Sequence, residues 1–82
     1  MDIIFSHDAG KQYQRLSKPE QTKIYKKLTA LKHFPYEGKK LTGELTGLRS
    51  LRAWPYRILY EINEDKKRVE IHKIAHRQGV YK

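Results

Sequence analysis

The chain has 82 residues, with 18 Lys and Arg against nine Asp and Glu, a formal net charge of +9 and no cysteine. That length supports a single domain spanning 1–82 with a modest core, which excludes a second domain and a large internal ligand cavity. Without cysteine there is neither a disulfide framework nor a thiolate metal site.

A hydrophobic fraction of 38 % is too high for a disordered chain. The charge excess favours a polyanionic partner: nucleic acid most commonly, then an acidic protein, then an anionic membrane. No apolar run approaches the ~20 residues needed to span a bilayer. The opening "MDIIFSHDAG" is too short and too acidic for a signal peptide, so a cytoplasmic protein without membrane association is expected.

In chain order, "IIFS" at residues 3–6 predicts a first strand. In "HDAGKQYQRLS", Ala9, Tyr13 and Leu16 fall at helical spacing and line one face, with Gly10 weakening the start. "SKPE" opens a second helix. Ser17 and Glu20 have capping-box spacing, and Pro19 sits in the first turn, where its missing N–H does no harm. Ile24, Leu28 and Leu31 form the apolar face that follows, and Pro35 ends the helix. The link between the two helices is so short that an antiparallel hairpin is expected.

"PYEGKKLTGELTG" at residues 35–47 reads as loop. Three strands are predicted after it, over 48–54, 56–62 and 68–76. Pro55 makes a tight turn between the first two, and "NEDKK" is a polar hairpin loop between the last two. The order is β–α–α–β–β–β. This is an α+β domain with the helical hairpin on one face of a small antiparallel sheet and a partly apolar, partly basic face left open.

Arg49, Arg52, Arg57, Arg68 and Arg77 all lie in the second half. Arginine suits phosphate because its planar fork donates two parallel hydrogen bonds, whereas a solvated strand edge is served as well by lysine. Arg52, Arg57 and Arg77 are therefore read as functional. The structural alternative for Arg57, set between aromatic residues in an apolar strand, is an ion pair with Glu61 or Glu44. Histidine can serve as general acid or base near neutral pH, which makes His76 a candidate, and Tyr81 can move a proton or stack on a base. The alternative for His76 is an ordinary packed or exposed side chain.

His72 and His76 are expected on one strand face, without the third ligand a metal site needs. His7 and His33 read as caps or surface. No metal and no cofactor are expected, and the chain has no Gly-rich phosphate loop and no nucleophile elbow.

"LRSLRAWPYRILYEI" and "VEIHKIAHRQGVY", with a short charged hairpin loop between them, resemble the RelE/ParE superfamily of bacterial toxins from type II toxin–antitoxin modules. The first strand and helical hairpin agree with that family in order and length, so the resemblance covers essentially the whole chain. It implies a RelE-like fold and a ribosome-dependent, metal-independent messenger RNA endonuclease in which the ribose 2′-hydroxyl attacks the adjacent phosphorus.

By position, Arg57 matches the family's strand arginine, Arg77 and Tyr81 its terminal signature, and Arg52 a basic residue of the preceding strand. The implied roles are phosphate stabilisation for Arg57 and Arg77, stacking or orientation for Tyr81, and acid or base for His76, with Glu44 behind it. Arg49, Lys39, Lys40, Lys73 and Lys82 would grip RNA. RelE itself has paired lysines where this chain has "LRSLR", and arginine stays protonated, so Arg49 and Arg52 are not proton acceptors.

The resemblance also implies an acidic antitoxin that wraps the toxin as a hetero-oligomer. Its alternative function on the same fold is DNA gyrase inhibition of the ParE type.

Overall fold

The computed structural model describes residues 1–77, so Tyr81 and Lys82 lie outside the described residues. The elements are strand β1 (Asp2–Phe5), helices α1 (His7–Gln14) and α2 (Lys18–His33), a two-residue strand β2 (Lys39–Lys40), a 3-10 turn (Gly43–Leu45), and strands β3 (Arg49–Ala53), β4 (Tyr56–Asn63) and β5 (Arg68–His76). Both helices lie against a five-stranded sheet of order β1-β5-β4-β3-β2.

Two points differ from the sequence expectation. The segment 35–47 is not all loop, because Lys39 and Lys40 pair with Ser50 and Arg49 to extend the sheet. The sheet is not purely antiparallel either: β1 runs parallel to β5, Ile3 beside Val69 and Phe5 beside Ile71. A parallel pair needs a crossover, and the long connection through the helical layer supplies it.

Both helices start as their sequences require. Ser6 Oγ accepts the Ala9 N–H at 3.0 Å. At α2 the capping box is complete, with Ser17 Oγ accepting the Glu20 N–H and Glu20 Oε1 accepting the Ser17 N–H at 3.2 Å. Gln21 and Tyr13 tie the helices to each other: the Gln21 amide donates to the Tyr13 carbonyl at 2.9 Å, and the Tyr13 hydroxyl donates to the Gln21 carbonyl at 3.3 Å.

The core lies between helices and sheet. Ala9, Ile24, Leu28 and Leu31 meet Ala53, Ile58, Tyr60, Val69, Ile71 and Ile74, all buried. Strand side chains alternate between faces, so Ile58 and Tyr60 on the helix side leave Arg57, Leu59 and Glu61 of β4 on the other.

One irregularity positions the open face. Leu59 pairs with Lys73 but Tyr60 pairs with Ile71, so His72 is the extra residue of a β-bulge. The bulge resets the alternation of β5: Ile71 and Ile74 both reach the core, while His72 and Lys73 are both exposed between them. Its displaced backbone groups are satisfied from the β1–α1 junction and from α1. The Ser6 hydroxyl donates to the His72 carbonyl at 3.0 Å, and Gln12 Oε1 accepts the Ile74 N–H at 2.8 Å.

Candidate nucleic-acid interface

The open face is built from rows of cross-strand neighbours. One row is Arg52, Arg57 and Ala75, since Arg52 pairs with Arg57 and Arg57 with Ala75. The next is Lys39, Ser50, Leu59 and Lys73. Arg52, Lys39 and Lys73 are exposed and Arg57 is half-buried. Between these cations Leu59 and Ala75 are buried, with Leu41 packed against them, forming an apolar patch separate from the main core. Cations set around this small buried patch suit a ligand with a negatively charged backbone, as nucleic acid has.

Arg52 and Arg57 stand directly opposite each other in antiparallel register. Arg77 joins the same end. It follows β5 by one residue, its N–H donates to the Pro55 carbonyl at 2.8 Å, and its guanidinium lies 5.0 Å from the centre of the Trp54 indole. Three of the arginines singled out from sequence thus gather where the β3–β4 turn meets the end of β5.

Other expected site residues lie elsewhere. Arg49 pairs with Tyr60, a core side chain, and so belongs to the helix side of β3. Its Nη1 donates to the carbonyls of Tyr36 (3.1 Å) and Gly38 (2.8 Å), and the guanidinium stacks 5.1 Å from the Tyr36 ring. Arg49 therefore holds the loop after α2. Lys40, opposite Arg49, shares that side, whereas Lys39 faces the arginines. Glu44 is exposed in the 3-10 turn. Arg68 donates to Glu70 at 2.8 Å.

His76 pairs with Tyr56, and the two rings meet edge to face with centres 5.6 Å apart. Tyr56 in turn donates to Glu20 Oε2 at 2.7 Å. That hydrogen bond lowers the Glu20 pKa, with the Ser17 capping groups adding to it, and raises the Tyr56 pKa. His76 therefore sits at the arginine end of the sheet but on the helix side of the strand. His72 lies on the open face, 3.1 Å from Glu61. The bulge between them separates the two histidines that strict alternation would place together.

His72 has acidic company instead. The ligand atoms of Glu61, Glu70 and His72 all lie within 4.8 Å of one another. Glu61 and Glu70 are direct cross-strand neighbours, and each carboxylate has a basic partner: His72 for Glu61, Arg68 for Glu70. The Arg68 hydrogen bond is the main cause of a lowered Glu70 pKa. With both carboxylates engaged in this way, the group is a hydrogen-bonded cluster that closes on itself.

Two residues of the interface had no distinct signal in the sequence. Ser50 is buried, lies in the Lys39–Leu59–Lys73 row, and its hydroxyl has no hydrogen-bond partner among the described residues. Trp54 is 52 % exposed at the β3–β4 turn, under Arg77. No helix among the described residues is long and apolar enough to cross a membrane.

Comparison with known proteins identifies the family and the fold. Over 45 residues the chain is 44 % identical to Toxin RelE of Mycobacterium tuberculosis, a stretch that is 55 % of this chain and 46 % of that protein. The match thus spans about half the length of the curated relative. The toxin–antitoxin complex RelBE2 of M. tuberculosis contains a chain of similar fold, with TM-score 0.85, 27 % identity, and coverage of 92 % of this chain and 95 % of that one. The YoeB/ParE toxin of Agrobacterium tumefaciens shares the fold at TM-score 0.82 and 21 % identity, covering 93 % and 98 %. Residues 3–81 match the family model of the ParE toxin of type II toxin–antitoxin systems. The chain therefore belongs to the RelE/ParE superfamily of type II toxin–antitoxin toxins.

Proposed function

We propose that this toxin is a ribosome-dependent messenger RNA endonuclease of the RelE type. The observation that carries the reading is the cross-strand pair Arg52–Arg57 with Arg77 at the same end of the sheet. Two arginines adjacent in register, with a third at the same strand end, concentrate cationic hydrogen-bond donors where a phosphate can be bridged.

In the proposed reaction the 2′-oxygen of a ribose bonds to the adjacent phosphorus and the bond from phosphorus to the 5′-oxygen breaks. The 2′-hydroxyl loses its proton to a base and the leaving 5′-oxygen gains one from an acid. A cyclic phosphate and a 5′-hydroxyl result. Arg57 and Arg77 stabilise the charge growing on the phosphorus oxygens, and Arg52 holds the neighbouring backbone. These arginines supply charge and no base. His76 stands at the same strand end with its ring against Tyr56 on the helix side, opposite the face of Arg52 and Arg57, so the geometry does not assign it the acid or base role, and Tyr81 orients the scissile nucleotide. Lys39 and Lys73 grip RNA without taking part in chemistry. No metal is required.

The proposed partner in the resting cell is an acidic antitoxin segment that folds on the toxin and covers its basic surface. The net charge of +9 supports this, as does the solved M. tuberculosis relative, a toxin–antitoxin complex.

The family model favours a second reading, DNA gyrase inhibition, because it is the model of ParE. Two assays on one preparation separate the readings. The nuclease cuts a messenger under translation and leaves gyrase supercoiling untouched. The gyrase inhibitor does the reverse.

A further inference from the structure

Trp54 is a large aromatic left half in water at a turn, where it adds little to the core. Its surroundings are nonetheless held by three contacts, from α2 and from the end of β5. Lys23 of α2 donates to the Trp54 carbonyl at 2.9 Å, the Arg77 N–H donates to the Pro55 carbonyl at 2.8 Å, and the Arg77 guanidinium lies 5.0 Å from the indole centre. The last distance is within cation–π range, and tryptophan is the strongest partner for such a contact. The backbone hydrogen bond fixes where Arg77 leaves the sheet, and the indole face fixes where its side chain goes.

We propose that Trp54 is a positioning residue for Arg77, holding the guanidinium at the arginine end of the open face before substrate arrives. The functional half of this inference rests on the endonuclease reading; the structural half does not. An exposed arginine has many rotamers, and a guanidinium already aimed at the developing phosphate charge needs no reorganisation during the reaction. Phenylalanine would keep a weaker π face at the position. Leucine would keep bulk without one.

The test has two readouts on the folded full chain. Trp54 is the sole tryptophan of the sequence, so its ring current is a clean reporter. The Arg77 Nε–H resonance is expected to be displaced in the wild type, to relax towards the unstacked position in Trp54→Leu, and to stay mostly displaced in Trp54→Phe. A resonance that does not respond to Trp54→Leu overturns the proposal.

The second readout is single-turnover cleavage of a messenger on translating ribosomes. Trp54→Leu is expected to lower the rate roughly 2- to 5-fold, the equivalent of an exposed cation–π contact, with little change in the half-saturating toxin concentration. Trp54→Phe recovers most of that loss. In an Arg77→Ala background Trp54→Leu costs nothing further, because the two residues act as a unit. An equal loss in both backgrounds overturns the proposal. If the wild type leaves every messenger intact the endonuclease reading fails, and the Arg77 resonance still decides whether Trp54 holds Arg77.

Discussion

Arg52 of β3 and Arg57 of β4 are direct cross-strand neighbours on the face of the sheet away from the helices. Replacing Arg52 should therefore separate stability from binding. Arg52 is exposed, so Arg52→Gln is expected to change stability by no more than ~0.5 kcal/mol. The same change should weaken binding to single-stranded RNA and lower the salt slope of that binding by about one phosphate contact. Thermal melts and RNA titrations at several salt concentrations check both halves.

The loop after α2 hangs on one buried tyrosine. Tyr60 is fully buried, its hydroxyl donates to the Pro35 carbonyl at 2.8 Å, and it accepts the Gly38 N–H at 2.9 Å. A Cβ on Gly38 would lie 2.8 Å from Tyr60 Cε1 and closer still to the hydroxyl, with no room for the ring to yield. Gly38→Ala is expected to cost about 1–3 kcal/mol by overpacking. Tyr60→Phe should cost a similar ~1–3 kcal/mol by stranding the Pro35 and Gly38 backbone groups. Each kcal/mol corresponds to roughly 4–8 °C in a domain of this size, so thermal melts read the effect.

Ser50 should behave in the opposite sense. Its buried hydroxyl has no partner among the described residues, and an unsatisfied buried polar group costs about 1–3 kcal/mol. Ser50→Ala removes the hydroxyl and keeps the Cβ, so the melting temperature should rise by several degrees. A fall would mean that the hydroxyl has a partner in solution.

Acid should weaken the fold through two surface carboxylates. Glu20 is lowered by its hydrogen bonds from Tyr56 and Ser17, and Glu70 by Arg68. A lowered folded pKa means that the unfolded chain binds protons first as pH falls. The stabilisation is thus present above the ordinary carboxylate value of 4.5 and is lost as pH drops below it. Melting temperature against pH should decline over that window. Glu20→Gln and Glu70→Gln should each flatten the decline, and high salt should shrink the Glu70 contribution. An unchanged slope in both variants would show that other groups control acid stability.

Local rules made much of the architecture legible. The Ser17–Glu20 capping box and the spacing of Ile24, Leu28 and Leu31 place α2 correctly, and the alternation of Tyr56, Ile58, Tyr60 and Ile62 gives the core face of β4. That alternation also puts Arg57 on the opposite face. One feature escapes a rule of period two, and another obeys it but needs the strand pairing to be read. The bulge at His72 inserts one residue, which parts His72 from His76 and turns Lys73 towards Leu59. Its backbone is satisfied by Ser6 and Gln12, more than sixty residues away in sequence, so no local pattern announces it. Arg49 and Arg52 look equivalent in "LRSLR", yet three residues along a strand reverses the side, and only pairing with Tyr60 and Arg57 shows which arginine reaches the open face. Trp54 read as the end of a strand because its partners, Lys23 and Arg77, come from α2 and the end of β5.

The most direct test of the central claim uses a short messenger carrying a single 2′-deoxynucleotide at the mapped cut site, placed on translating ribosomes with wild-type toxin or Arg57→Gln. The account predicts that the all-ribose messenger is cut by the wild type to leave a cyclic phosphate. It predicts that the deoxy-substituted messenger survives at that position, and that Arg57→Gln cuts at least tenfold more slowly while melting within a few degrees of the wild type. Cleavage at the 2′-deoxy position, or full activity in Arg57→Gln, would contradict it.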